Sequence, residues 1–217
     1  MFSKVTSEAL GTSDICQVIS PVDFAASPSI AYLLTVDGEQ PYFILRSKKD
    51  EYCFTDRAMV HLDGESALSS KRLVQRYNYH TCEFRDVRIE TAGTVDLDCE
   101  IKFVLGNKGF SLDVNRKQLT PLIALYKVLI AISSIQAKGN TMFELAKLAL
   151  DRTSSSMSKH ANNHTNDAVA PMPNTHGVNL VSSSNEVLQW LSHQYEMNNP
   201  TNFGPIFAKY ISSATFA

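Results

Sequence analysis

The chain has almost no net charge and no sign of export. Lys and Arg number 20 against 22 Asp and Glu, giving a formal net charge of −2 and a pI near 6.3. This balance creates no global field that would draw the chain onto nucleic acid or an anionic membrane, so we expect no nucleic-acid partner. The N-terminus lacks the uninterrupted apolar run of a signal peptide, because Glu8 and Asp14 interrupt it. We therefore expect a cytoplasmic protein.

Catalytic and metal-binding motifs are also missing. The sequence contains no CxxC pair, no GxSxG, no HExxH and no phosphate-cradling glycine loop. His80 and Cys82 share a strand face but supply only two ligands, and His160 and His164 fall in a polar segment. We therefore predict no enzyme, no metal site and no cofactor. The four cysteines, Cys16, Cys53, Cys82 and Cys99, should be free thiols. Cys53 and Cys99 lie in apolar runs and should be core residues.

From Gln40 to Asn115 the sequence consists of short runs rich in β-branched and aromatic residues, each followed by a turn signal. The connections between the runs are short, so neighbouring strands should be antiparallel hairpins. The pattern predicts a mainly β fold with seven strands. They are residues 41–47, 51–55, 57–63, 72–81, 83–91, 94–103 and 108–114.

Helical signals follow the strands. Thr120 and Pro121 can begin a helix that runs through LIALYKVLIAISSIQ and should end at Lys138 and Gly139. Thr141 and Glu144 have the spacing of a capping box for a second helix. Two more helical stretches are predicted near the C-terminus, NEVLQWLSHQYEM before Pro200 and GPIFAKYISSA from Gly204.

These patterns suggest a division of the chain into five parts, of which the fourth is rich in Ser and Asn. They are an N-terminal helical or irregular arm (1–29), a β domain capped by a C-terminal helix (30–136), an additional helix (137–152), a flexible linker (153–185) and two short C-terminal helices (186–217).

The first predicted helix is apolar on both sides. Ile123, Tyr126 and Ile130 lie opposite the stripe that should face the core, and Lys127 is the one charge between Leu122 and Ile132. The run is too short and interrupted to favour a membrane span, which needs about 20 apolar residues. A second protein surface is the preferred interpretation, so these three residues are candidate interface positions.

The stretch RIETAGTVDLDCEIKF contains three clustered carboxylates. Asp96, Asp98 and Glu100 alternate with apolar residues, so they should lie on one strand face with neighbours roughly 7 Å apart. This spacing disfavours a shared metal ion. A solvated or partner-facing strand is the preferred interpretation, with the three acids as candidate contacts for a neighbouring subunit.

Basic residues cluster around the first hairpin and the fourth strand. Arg46, Lys48 and Lys49 form the first group, and Arg72 and Arg76 belong to the second. Such groups could hold a phosphate or an acidic peptide. The alternative is that they keep turns and sheet edges soluble, which is the commoner role of such residues.

Specific strings in this region resemble the bacterial pleckstrin-homology (PH) domain family. They are VDGEQ, KKDEYCFTDRAMVHLDGES, QRYNYHTC and RIETAGTVDLDCEIKF, and the resemblance covers roughly residues 30 to 136. It implies a PH-like antiparallel barrel or sandwich of seven strands, capped by a C-terminal helix and followed by a helical appendage. It also implies assembly into homo-oligomers, sometimes ring-shaped, helped in some members by a helical C-terminal region.

Two functions are compared on this basis. The first is a non-enzymatic interaction module that self-associates. The second is a domain that binds an anionic lipid headgroup or acidic peptide at the basic first hairpin, as eukaryotic relatives in fold often do. The next strand begins Glu51, Tyr52, Cys53 and lacks the expected basic pair, which weighs against the second. We expect the chain itself to be its main partner, a protein or peptide to be a further one, and a membrane surface to be the least favoured.

Overall fold

The computed structural model describes residues 14–64, 72–91, 98–163 and 175–212, with only the backbone described for Arg72, 153–163 and 175–184. The chain divides into two compact units. The sheet unit combines Met1–Ser134 with Thr201–Ala217, and the hairpin unit is Ile135–Pro200. The chain therefore leaves the sheet unit after Ser134 and returns to it at Thr201.

The described part of the sheet unit contains two antiparallel sheets. One has five strands in the order β1-β2-β3-β4-β5, and the other has three in the order β6-β7-β8. The strands are β1 (Gln17–Val18), β2 (Pro41–Arg46), β3 (Glu51–Thr55), β4 (Ala58–Gly64), β5 (Arg72–Asn78), β6 (Phe84–Thr91), β7 (Asp98–Leu105) and β8 (Lys108–Asn115). The seven predicted strands are confirmed with shifts at their ends, except that residues 94–97 of the predicted sixth strand lie outside the described residues. The short strand β1 was not predicted.

The two sheets form an open sandwich, so the barrel alternative in our prediction was wrong. In the part of the chain that the structure describes, no ladder joins β5 to β6, and an isolated bridge from Cys16 to Val114 is what links the short β1 to β8. Closure would need continuous pairing around the whole circuit. The β5 and β6 edges interrupt that circuit.

The larger sheet is covered on both faces. Three short 3-10 helices, Pro21–Ala26, Pro28–Tyr32 and Thr35–Asp37, precede β2. Phe24 of the first of them and Leu33, which follows the second, pack on Ile44, Cys53 and Val60. The opposite face carries Phe43 and Phe54, which are also fully buried. Strands buried on both faces read as continuous apolar runs, which explains why YFIL and YCF do not alternate. Residues 14–29 of the predicted N-terminal arm therefore lie within the sheet unit.

Aromatic side chains fill the space between the sheets. Phe103 of β7 lies at its centre, with ring centroids 6.2 Å from Phe54, 5.7 Å from Phe84 and 5.1 Å from Phe110. These three rings belong to three different strands, β3, β6 and β8. Phe103 therefore contacts side chains of both sheets. Burial of rings this large supplies much of the apolar stabilisation of a small unit.

In the described part of the chain, three α-helices follow the strands. They are α1 (Leu119–Asn163), α2 (Thr175–Asn198) and α3 (Gly204–Ile211). Within the sheet unit α1 buries Leu122, Leu125 and Ile132 completely, and Ser133 Oγ donates a 2.7 Å hydrogen bond to the carbonyl of Phe84. The capping helix of the predicted fold is therefore present.

The predicted end of the first helix was wrong, because α1 continues through Lys138 and Gly139. A Cβ on Gly139 would lie 2.1 Å from the carbonyl oxygen of Asn198, so the glycine allows a close approach of α2. Thr141 does not cap a new helix either. Its Oγ1 donates to the carbonyl of Ala137 at 2.9 Å, a bond made inside a helix.

The hairpin unit pairs α1 with α2. Gly139 lies against Asn198, and the ring of Phe143 lies 5.2 Å from that of Tyr195, so positions rise along one helix as they fall along the other. The two helices are antiparallel. Helix also covers residues 153–163 and 175–184 of the segment for which we predicted a flexible linker, and 164–174 fall outside the described residues. The predicted domain boundaries stay predictions.

By length and composition alone, the stretch Arg116–Arg152 could cross a membrane. Within the chain, 39% of its apolar window is buried. The buried positions include Leu122, Leu125 and Leu129, which belong to the core of the sheet unit. We interpret the stretch as a core helix with a second, exposed apolar side.

Candidate functional site

The predicted basic group at the first hairpin is partly used inside the chain. Arg46 Nε lies 2.5 Å from Glu51 Oε2, and its Nη2 donates to Ser27 Oγ at 2.7 Å. The other carboxylate oxygen of Glu51 accepts the Ser29 amide at 2.8 Å. The pair therefore fixes the N-terminal segment on the outer face of the larger sheet.

Arg76 has a similar structural role. Its guanidinium donates to both carboxylate oxygens of Glu39, at 2.9 and 3.0 Å, and Glu39 is 2% exposed. Burial raises the pKa of Glu39, but the hydrogen bonds from Arg76 and Thr55 outweigh it and leave that pKa below its usual value. Glu39 also accepts the Leu34 amide at 2.7 Å. A bidentate pair of this kind occupies the guanidinium face that an anionic ligand would need.

Among the remaining predicted anion-binding residues, Lys48 lies beside an acidic group. Lys48 and Lys49 are exposed, but the Lys48 amide and Ser47 Oγ both donate to the carboxylate of Asp14, at 3.0 and 2.8 Å. The side chain of Arg72 is outside the described residues. The described geometry brings Arg46 and Arg76 to internal carboxylates and leaves the two lysines as the exposed part of the group.

The predicted acidic face is partly neutralised by a lysine. Lys102 Nζ lies 2.6 Å from Glu90 Oε2 and 2.7 Å from Glu100 Oε2, and Ser111 Oγ donates to Glu100. The hydrogen bonds to Glu100 and Glu90 raise the pKa of Lys102. Asp98 is half-buried at the start of β7, and Asp96 lies outside the described residues.

The predicted interface positions on α1 are partly exposed. Ile123 is 37% exposed and Ile130 is 41% exposed, whereas Tyr126 is half-buried. Their neighbours Leu122, Leu125 and Leu129 are fully buried. The sheet unit thus presents two branched apolar side chains at a seven-residue spacing, on the side of the helix that its own core does not cover.

The hairpin unit exposes a larger apolar set that the sequence analysis missed. On α1, Met142, Leu145 and Leu148 are 41%, 53% and 46% exposed and follow one another at intervals of three residues. Residues with this spacing lie along one side of a helix. We call these three residues the leucine stripe. The described part of α2 adds exposed apolar residues of its own: Leu188, Trp190, Tyr195 and Met197.

This stripe could have been found from the sequence. The sequence predicted a separate second helix beginning at Thr141, and the apolar face of that helix would include Leu145 and Leu148. Because we ended the first helix at Gly139, we did not consider one continuous helix. In the continuous α1, Ala146 is 8% exposed, whereas Leu145 and Leu148 are exposed.

Three of the four thiols, those of Cys16, Cys53 and Cys99, are buried, and Cys82 is half-buried. Cys53 and Cys99 are 0% and 3% exposed, which confirms that they are core residues. Burial raises the pKa of Cys53 and of Cys16 to about 12, so both thiols stay protonated at neutral pH. Among the described residues, no group of three or more His, Cys, Asp or Glu side chains is arranged to hold a metal ion.

Comparison with known proteins agrees with this fold. A profile of the family described as "Bacterial PH domain" matches residues 9–133, which is more than half of the 217-residue chain. The chain therefore belongs to the bacterial PH domain family. The match begins well before residue 30, where our predicted domain starts, as expected if the N-terminal segment is part of the sheet unit.

Two relatives extend the similarity into the helical region. "Uncharacterized protein YvbH" of Bacillus subtilis (strain 168) is 36% identical in an alignment of 217 residues that covers 98% of this chain and 100% of the relative. The crystal structure of a PH-domain-containing bacterial protein from Exiguobacterium sibiricum 255-15 is 42% identical. That match covers 91% of this chain and 100% of the other, with a TM-score of 0.79.

Proposed function

We propose that the chain is a non-enzymatic interaction module that self-associates into a homo-oligomer. The observation that carries the proposal is the leucine stripe, three large apolar side chains at 41% to 53% exposure on the hairpin unit. Contiguous exposed apolar side chains mark interaction surfaces in soluble proteins. A second copy of the chain always offers the same stripe, and closed homo-oligomers are the common way to cover such a surface.

Ile123, Tyr126 and Ile130 are a second proposed contact, on the sheet unit. Ile123 and Ile130 are more exposed than a core helix requires. Asp96, Asp98 and Glu100 remain proposed partners for basic groups of a neighbouring subunit. Glu100 would first have to leave Lys102. A ring-shaped assembly is the form that the family resemblance suggests.

Two observations support the non-enzymatic part of the proposal. Cys16 and Cys53 are protonated and buried, so neither can serve as a nucleophile at neutral pH. The family match also assigns more than half of the chain to the bacterial PH domain, for which we propose a binding role.

The test is the native mass of a charged variant of the leucine stripe. Leu145→Glu with Leu148→Glu should lower the native mass measured by light scattering coupled to gel filtration, because carboxylates at a buried apolar contact are costly. Lys147→Glu is the matched control, since it changes the net charge by the same two units at an exposed position of the same helix. If both variants keep the wild-type mass, the stripe is not the contact.

Binding of an anionic headgroup or acidic peptide at the first hairpin is the alternative. Its support is the exposure of Lys48 and Lys49. Against it stand the internal pairs of Arg46 and Arg76 and the carboxylate of Asp14 at the hairpin. We therefore place it second.

A further inference from the structure

The C-terminal segment Asn202–Ile211, which we call the tail, folds back onto the sheet unit. Its apolar residues Phe203, Phe207 and Ile211 are 2%, 0% and 6% exposed. These values are typical of a protein core. Ten residues are too few to form a core of their own, so these side chains are buried by the rest of the sheet unit.

The site has a polar half centred on one residue, Asp56, in the turn between β3 and β4. The Phe203 amide donates to the Asp56 carbonyl at 2.7 Å, and Asn202 Nδ2 donates to Asp56 Oδ2 at 2.6 Å. The remaining carboxylate oxygen accepts the Gln40 amide at 3.0 Å. Asp56 is 3% exposed, so removing the tail would leave a nearly buried carboxylate without one of its donors.

The other half of the site is aromatic. The ring of Phe207 lies 5.2 Å from that of Tyr42 and 6.4 Å from that of Tyr79, and the Phe203 ring lies 5.9 Å from Tyr79. Tyr79 is 1% exposed, and the two phenylalanine rings of the tail cover part of it. Two phenylalanines four residues apart therefore enter one aromatic recess, as anchors do in helix-in-groove recognition. We call the recess formed by Tyr42, Asp56 and Tyr79 the tail site.

Shape adds a requirement at one position between the two anchors. A Cβ on Gly204 would lie 2.9 Å from the hydroxyl oxygen of Tyr42 and 3.0 Å from Asn202 Oδ1. Pro205 then takes the first turn of α3, where its missing amide costs nothing. The tail site thus contacts the side-chain amide of Asn202 and the rings of Phe203 and Phe207, and it leaves no room for a side chain at position 204.

We propose that the tail site is a peptide-recognition site that accepts the Asn-Phe-Gly-Pro-Ile-Phe segment of a second copy of this chain as well as its own. Recognition depends on the side chains and backbone of the segment, and every copy carries the same segment. α2 ends at Asn198 and α3 begins at Gly204, so no continuous helix runs from α2 into the tail. Exchange of an identical element between copies adds no new contact and costs little.

The test uses the full chain and a fluorescein-labelled peptide of residues 200–212. The chain carrying Phe207→Ala should bind the peptide saturably in an anisotropy titration, because its own tail has lost an anchor. The wild-type chain should bind at least about tenfold more weakly, since its own tail competes at high effective concentration. A peptide carrying Gly204→Ala should bind to the Phe207→Ala chain at least about tenfold more weakly than the wild-type peptide.

A chain carrying Gly204→Ala is the second host, because it weakens its own tail while keeping both phenylalanines in case the Phe207→Ala chain fails to fold. Absence of saturable binding to both hosts would overturn the proposal. So would equal binding to the wild-type chain and the variants, or equal binding of the two peptides. These outcomes do not depend on the leucine stripe, so they leave the proposed self-association to its own test.

Discussion

Asn202 Nδ2 donates a 2.6 Å hydrogen bond to Asp56 Oδ2 across 146 residues of sequence. This bond closes a circuit in the chain. The first segment of the sheet unit ends at Ser134, the hairpin unit occupies Ile135–Pro200, and the tail belongs to the second segment of the sheet unit and contacts the turn between β3 and β4. The last segment of the sheet unit is thereby held against the turn between β3 and β4 of the same unit.

Gly204→Ala should destabilise the sheet unit. The added methyl group would lie 2.9 Å from the Tyr42 hydroxyl oxygen, and we expect a loss of about 1–3 kcal/mol in the free energy of unfolding. Gly109→Ala is the matched control, because a Cβ there meets nothing within 4 Å. Chemical denaturation measures both. Equal stability of the two variants would contradict the close packing of the tail.

Gly139→Ala tests the approach of α1 and α2 by the sign of its effect. In an exposed helix interior, alanine stabilises by up to about 1 kcal/mol relative to glycine. Here the methyl group would lie 2.1 Å from the Asn198 carbonyl oxygen, so we expect a lower melting temperature instead. A raised melting temperature would mean that the two helices do not meet at Gly139.

The Arg76–Glu39 pair should contribute to the pH dependence of stability. The pKa of Glu39 is lowered in the folded chain, so its contribution is complete above the unfolded value of about 4.3 and is lost as pH falls through the folded pKa. Glu39→Gln should therefore reduce the loss of stability between neutral and acidic pH. Urea denaturation across that range measures it.

Glu144→Gln is the control for this prediction, because Glu144 is exposed on α1 and pairs only with its neighbour Lys147 among the described contacts. It should leave the acid dependence unchanged. Arg76→Ala should cost about 3–5 kcal/mol at neutral pH, because it leaves the buried carboxylate without its charged partner. A pH profile shared by wild type and Glu39→Gln would contradict the account of the pair.

The first hairpin should not attach the chain to anionic vesicles. Arg46 is paired with Glu51, and Asp14 lies at the hairpin, so Lys48 and Lys49 offer the exposed positive charge there. We expect no flotation with phosphatidylserine vesicles at low salt. Flotation that disappears with Lys48→Glu and Lys49→Glu would instead favour the headgroup-binding alternative.

The sequence predicted the β strands well because each one ends in a local turn signal. The pairing of Cys53 with Val60, for example, follows directly from the short turn at Asp56 and Arg57. The family resemblance was also carried by local strings. What could not be predicted depends on contacts that are distant in sequence, and such contacts leave no local pattern.

Gly139, Arg76 and Phe207 illustrate the difference. A glycine inside an apolar periodic run has the same local appearance whether it ends a helix or allows a second helix to approach. Arg76 is recognised as structural only once Glu39 is placed beside it. Phe207 lies in a helix that the sequence predicted, but its site on Tyr42 and Tyr79 is formed by residues more than a hundred positions away.

The native mass of the wild-type chain tests the central claim most directly. Light scattering coupled to gel filtration at micromolar concentration should give a whole-number multiple of the 24.1 kDa chain mass, two or greater. A single species of 24.1 kDa would contradict self-association.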